Sequence, residues 1–301
     1  MPKVRAHGID IEYDITGPAD GEPLLLIMGL GAQMTRWPQP FLDKLAAQGL
    51  RVIRFDNRDV GLSEKFDHAG VPDFPTMFKA LSEGRPPAVP YSLDDMAADA
   101  AGLLDALGIA RAHIVGASLG GMVAQLVAAH YPQHTLSLTS IMSSTGNREL
   151  PPAAPEAVGV LNNRGPDPSE DFEGYLDHGV KGAYVVGSPG FPPDPEEVRK
   201  RIRSDFERSY SPQGFTRQYA AAASSPDRRP KLATITAPTV VIHGAVDPLV
   251  PLAGGKDTAD NIPGAELRVI EGMGHDFPPA LYDTVIEGIL AAVQRAKAAA
   301  I

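Results

Sequence analysis

Between residues 9 and 15 apolar and polar side chains alternate, the pattern of a strand with one face in water, as in an antiparallel edge. The runs 24–28, 52–55 and 112–117 are instead apolar but for Arg54 and His113 and bounded by Gly or charge, which predicts strands covered on both faces. Runs 136–142, 239–243 and 267–270 extend that series. Between them the apolar spacing becomes helical: 41–48, 93–107 with Ser92 as N-cap and Gly108 as stop, 119–130 ended by Tyr131-Pro132, and an amphipathic closing helix over 281–300. Alternating strands and helices imply an α/β fold, a mostly parallel sheet with helices on both faces.

The alternation breaks over 147–233, which holds 12 of the 29 prolines. Helical candidates at 171–179, 195–208 and 212–223 make a small helical cap the expected reading of this stretch, since a loop of that length without structure is improbable. The organisation expected is therefore a core of 1–146 and 234–301 interrupted by a cap of 147–233. A second Pro-rich excursion, 64–90, is expected at the same rim.

Composition narrows the function. The 301 residues are 43% hydrophobic and 21% charged, typical of a folded globular chain. Lys plus Arg is 27 and Asp plus Glu 37, and the resulting net charge of −10 argues against nucleic acid or an anionic membrane as partner. Absence of cysteine excludes disulfides, thiolate metal sites and a cysteine nucleophile, and fits a cytoplasmic location. Residues 1–8 lack the apolar core of an export signal, and the longest apolar runs, such as 24–28, fall far short of the ~18 residues of a membrane helix. No H-E-x-x-H or similar metal spacing is present, so neither metal nor cofactor is expected.

After strand 112–117 the chain reads Gly116-Ala117-Ser118-Leu119-Gly120-Gly121 and enters a helix. This is G-x-S-x-G in the strand-turn-helix setting that throws a serine hydroxyl clear of the sheet, with small residues where side chains would collide. Ser118 is the candidate nucleophile. A base and an orienting acid should follow in the order Ser, acid, His. Asp247 follows strand 239–243 and His275 follows strand 267–270. An Asp before Pro also starts ordinary turns, and a loop His can be merely exposed, but the three together in this order point to nucleophilic catalysis. His243 reads as a buried strand residue, His113 and His130 lie at the wrong ends of their elements, Asp276 should face away from the serine, and Glu149 is the fallback acid. The Leu119 and Leu30 backbone N–H groups are the expected oxyanion donors, Leu30 within the tight turn Met28-Gly29-Leu30-Gly31.

With these residues the chain resembles α/β-hydrolases over nearly its whole length. The segment Asp56-Asn57-Arg58-Asp59-Val60-Gly61-Leu62-Ser63 is similar to that family's D-x-R-G-x-G-x-S, a structural tie beside the oxyanion turn. The Asn-Arg-Asp form, Met28-Gly29 and the ending Gly272-Met273-Gly274-His275 resemble aclacinomycin methylesterase-like carboxylesterases. Many relatives have His-Gly where this chain has Met28-Gly29, so the loop support that the histidine usually gives is missing. The resemblance implies eight strands with one antiparallel strand near the start and a helical cap between the sixth and seventh. Serine at 118 argues against the dehalogenase and epoxide hydrolase branches, which use Asp.

Met28, Trp37, Met122, Met142 and Met273, with Leu30, Leu119, Phe191 and Phe215, are the candidate lining of the substrate pocket and favour a small, mainly apolar ester. Carboxylic ester hydrolysis through an acyl-enzyme is the expected activity. Lactone or amide hydrolysis, perhydrolysis on the same triad, and a non-catalytic small-molecule receptor are the alternatives. Nothing in the sequence sets the oligomeric state.

Overall fold

The computed structural model describes residues 2–163 and 165–299; Met1, Arg164, Ala300 and Ile301, including the expected last residues of the closing helix, lie outside the described residues. Eight strands form one sheet: β1 (Lys3–Ala6), β2 (Ile9–Thr16), β3 (Glu22–Ile27), β4 (Leu50–Phe55), β5 (Ala112–Ala117), β6 (Thr135–Ile141), β7 (Thr239–Gly244) and β8 (Glu266–Ile270). Their order is β1-β2-β4-β3-β5-β6-β7-β8, and every pairing is parallel except those of β2 with β1 and β4. β2 is thus the single reversed strand. The α/β-hydrolase architecture expected from the resemblance is the one observed.

Period-2 geometry explains why the central strands read as mainly apolar runs rather than alternating ones. On β3, Leu24 and Leu26 pack with Val52, Val115 and Ile242 against α1 (Gln39–Ala46) and α11 (Tyr282–Ala299). The intervening Leu25 and Ile27 pack with Ile53, Phe55 and Ile114 against α3 (Leu93–Ala106) and α4 (Leu119–His130). Both faces are dry, so both registers are mostly apolar; the polar exceptions are paired, Arg54 with Asp14 at 2.7 Å and His113 with Ser137 at 2.8 Å. Helix α3 starts on a reciprocal capping box of Ser92 and Asp95. α2 (Phe74–Ser82) lies within the Pro-rich excursion, and α10 (Leu252–Asn261) connects β7 to β8.

Between β6 and β7 stand five helices: α5 (Pro155–Asn162), α6 (Phe172–Val186), α7 (Pro195–Arg208), α8 (Pro212–Ser224) and the short α9 (Arg229–Leu232). α6 runs past the expected stop at Gly179, because a Cβ there would come 2.7 Å from Ile202 of α7. That glycine serves close packing of two helices and does not end one. β1, α2, α5 and α9 have no counterpart among the segments expected from the sequence.

Candidate active site

Ser118 sits between β5 and α4 at φ +55° and ψ −122°, a strained backbone for any residue with a Cβ. Two contacts hold it there: its N–H donates to Ile141 O at 2.9 Å, and its carbonyl accepts from Ser143 Oγ at 2.8 Å. The small neighbours are sterically required. A Cβ on Gly116 would lie 2.0 Å from Gly120 O, one on Gly120 2.1 Å from Ile27 O, and one on Gly121 2.6 Å from the Ser143 side chain.

His275 reaches this hydroxyl from the turn after β8. Its Nε2 lies 2.9 Å from Ser118 Oγ and its Nδ1 2.7 Å from Asp247 Oδ2. The other oxygen, Asp247 Oδ1, accepts from Leu249 N–H at 2.9 Å and Val250 N–H at 2.8 Å, so the carboxylate is fixed at both ends. The Asp247 side chain is fully buried and that of His275 nearly so, which strengthens the pairing relative to water. The His275 loop is stitched to the segment after α6: His275 N–H donates to Val186 O at 2.7 Å and Gly274 N–H to Ser188 Oγ at 3.0 Å.

Met28-Gly29-Leu30-Gly31 lies directly beside Ser118, a Cβ on Gly29 falling 3.2 Å from the Ser118 Cβ. Among the described residues neither the Leu30 nor the Leu119 N–H has a hydrogen-bond partner. This turn is supported by Asn57, from the segment expected to tie it, and by Gln218, which the sequence reading did not single out. Asn57 Nδ2 donates to Met28 O at 2.9 Å, while buried Gln218 of α8 accepts from Gly31 N–H at 2.8 Å and donates to Arg58 O at 2.7 Å. The support lost with a histidine at position 28 is supplied here from two other directions.

The neighbouring loop is tied by buried ions. Asp59, at φ +71°, takes a two-pronged contact from Arg217 at 2.8 and 2.7 Å and the Tyr91 hydroxyl at 2.6 Å. These bonds hold its carboxyl below the usual carboxylate range despite burial, which acts the other way. Arg58 pairs with Asp99 at 2.6 and 2.7 Å, and Asp56 accepts from Met34 N–H and Leu62 N–H, each at 2.8 Å.

The other candidates fall elsewhere. His243 is buried, its Nε2 2.7 Å from Val250 O and 3.7 Å from Asp247 Oδ2; burial pushes its pKa down, so it is neutral and props the acid's turn. His113 lies against Ser137, His130 against Asp94, and exposed Glu149 points at Arg229. Asp276 turns from the serine to accept from the Ser188 hydroxyl. A cavity of about 430 Å³ opens onto His275 and is walled by α5, α6, α7 and the start of α8. The expected methionines do not line it. Met28, Met142 and Met273 belong to the core between the sheet and α1/α11, and Met122 packs against the opposite core. Trp37 is wholly buried between Phe41 and Phe277, at ring distances of 5.5 and 5.2 Å. Of the two phenylalanines named with them, Phe215 lines the cavity and Phe191 packs on that same core. Position next to a strand end did not decide lining, because the wall is built from helices distant in sequence.

Residues 22–278 match the family model described as the alpha/beta hydrolase fold. The chain belongs to the α/β-hydrolase family. It is 31% identical over 293 residues to rhodomycin D methylesterase DauP of a Streptomyces species, covering 92% of both chains. It is also 26% identical over 292 residues to 3-oxoadipate enol-lactonase 2 of Acinetobacter baylyi, covering 95% of each. Among solved structures, the enol-lactonase from Burkholderia xenovorans LB400 shares the fold with a TM-score of 0.72 at 22% identity, over 97% of this chain and 100% of that one. No helix among the described residues is long and apolar enough to cross a membrane.

Proposed function

We propose that this α/β-hydrolase cleaves carboxylic esters through an acyl-enzyme on Ser118, with His275 as base and Asp247 as the acid that orients it. The observation that carries the reading is the unbroken line from Ser118 Oγ through both nitrogens of His275 to Asp247, at 2.9 and 2.7 Å, beside two N–H groups without partners. Asp247 holds the proton of His275 on Nδ1, which leaves Nε2 free to accept the serine proton. Oγ attacks the ester carbonyl carbon, the proton passes to Nε2, and the carbonyl electron pair moves to oxygen. The Leu30 and Leu119 N–H groups bind that oxyanion. Its collapse breaks the bond to the alcohol oxygen, which leaves with the proton from Nε2. Water then attacks the acyl carbon with the same base, releasing the acid and restoring Ser118.

The similarity to a methylesterase over most of both chains supports an ester as substrate. A lactone follows the same steps with the alcohol still tethered, and the enol-lactonase relative favours it as a second reading. We assign 147–233 to a cap whose helices wall the cavity and leave room for a small, largely apolar substrate. The test is turnover of p-nitrophenyl butyrate by the wild type and by Ser118→Ala. The variant should lose at least about 10⁴-fold in kcat, as removal of a triad nucleophile does; activity within tenfold of wild type contradicts the assignment.

A further inference from the structure

One side of α7 presents three charged residues at i, i+4 and i+7, Arg201, Asp205 and Arg208, of which the first two line the cavity. Two of them are engaged. Asp205 accepts from Arg36 at 2.5 Å and from Thr35 at 3.2 Å; Arg208 donates to Gln33 at 2.6 Å and pairs with buried Asp56 at 2.8 Å. Arg201 differs. Among the described residues no hydrogen bond or ion pair reaches its guanidinium, although it lines the same cavity as His275. The cavity's two carboxylates are already occupied, Asp205 by Arg36 and Asp276 by the Ser188 hydroxyl, and neither comes within 4.0 Å of Arg201.

The Arg201 side chain is exposed to solvent within the cavity lining, so its charge is accessible to an incoming anion. Desolvation and the nearby Arg36 lower its pKa to about 10 while Asp205 and Asp276 act the other way, so it stays charged at neutral pH. Opposite chemistry surrounds it. Tyr175, Phe206 and Tyr210 also line the cavity and contact one another at ring distances of 5.1 to 6.0 Å, a wall suited to an apolar or planar body.

We propose that Arg201 receives a carboxylate of the substrate, so that the preferred substrates are half-esters: an ester at Ser118, an apolar body along the aromatic wall, and a free carboxylate on the guanidinium. This rests on the ester-hydrolase reading and names the substrate class of that site. The fork of Arg201 matches a carboxylate in two parallel hydrogen bonds, and the cavity of about 430 Å³, roughly 10 Å across if compact, that it shares with His275 limits the length of a body lying between them.

The experiment compares kcat/KM for monomethyl esters of α,ω-dicarboxylic acids with methyl esters of monocarboxylic acids of equal chain length, in the wild type, Arg201→Gln and Arg201→Lys. At the lengths that span the cavity, the half-ester should exceed its neutral counterpart by about tenfold or more, the worth of one charge-assisted hydrogen-bonded contact. Arg201→Gln should erase that ratio, mainly through KM, and Arg201→Lys should keep part of it. A ratio unchanged by Arg201→Gln, or below one at every length, overturns the proposal. Calorimetric binding of the same half-esters to Ser118→Ala, with and without Arg201→Gln, separates the two readings. Neutral-ester turnover without Arg201-dependent binding removes the carboxylate site and leaves ester hydrolysis intact. Arg201-dependent binding without cleavage of any ester by the wild type does the reverse.

Discussion

Gln218 lies 187 residues from Gly31 in sequence, yet its side chain decides where the oxyanion turn sits. Its Oε1 accepts the Gly31 N–H at 2.8 Å in a half-buried contact, and its Nε2 donates to Arg58 O at 2.7 Å in a buried one. Gln218→Leu keeps the approximate volume and removes both bonds. Each stranded backbone group costs about 1–3 kcal/mol, enough to let the turn swing toward other partners. Gly31 adjoins Leu30, whose N–H is the proposed donor, and full loss of such a donor costs about 2.7–4 kcal/mol, or 10²–10³ in kcat. A loosened donor forfeits part of that, so kcat should fall roughly tenfold to thirtyfold with KM within about twofold, the signature of an interaction made only in the transition state. Steady-state hydrolysis of p-nitrophenyl butyrate, with circular dichroism to check the fold, reads both constants. A Gln218→Leu enzyme that folds normally and retains kcat within twofold refutes this account of the turn. So does a variant whose loss lies wholly in KM.

Other consequences follow from single contacts. Gly120→Ala places a Cβ 2.1 Å from Ile27 O and 2.7 Å from Met28 O, so the variant should lose about 1–3 kcal/mol of stability and most of its activity; an unchanged melting temperature contradicts the packing described. Arg217→Leu leaves the buried Asp59 carboxylate without its cation and should destabilise by about 3–5 kcal/mol in urea unfolding, whereas restoring charge balance with Asp59→Asn in the same chain should recover part of the loss. Burial holds the pKa values of His243 and His113 below the ordinary 6.5, so below that pH the unfolded chain binds protons that the folded chain does not. Stability should therefore fall as pH drops through about 6.5, by up to ~1.4 kcal/mol per pH unit for each group, and His243→Gln should flatten the dependence. A slope that His243→Gln leaves unaltered contradicts that assignment.

The sheet and the strand-turn-helix at Ser118 were legible in the sequence for local reasons. Strands β3, β4 and β5 are dry on both faces, so their side chains had to be mostly apolar, buried Arg54 and His113 being the paired exceptions. Ser118 had to be flanked by Gly116, Gly120 and Gly121 because a Cβ at any of them meets backbone or a packed side chain. Asp247 and His275 could be picked out by their places after successive strands, and the structure brings both to Ser118. What could not be read depends on contacts between remote segments. Gln218, Arg217 and Arg201 belong to helices whose charged faces look solvent-exposed in sequence, and only the packing of α7 and α8 turns them inward. The methionines failed as lining residues for the converse reason: the strand ends direct Met28 and Met142 into the core, and the cavity wall comes from α5 to α8.

The central claim is covalent chemistry at one hydroxyl. Incubation with a fluorophosphonate, followed by intact-protein and peptide mass spectrometry, should find one adduct per chain on Ser118, formed in step with loss of ester turnover. Asp247→Asn should slow its formation and Ser118→Ala should abolish it. An adduct on another residue, or full inactivation with Ser118 unmodified, contradicts the account.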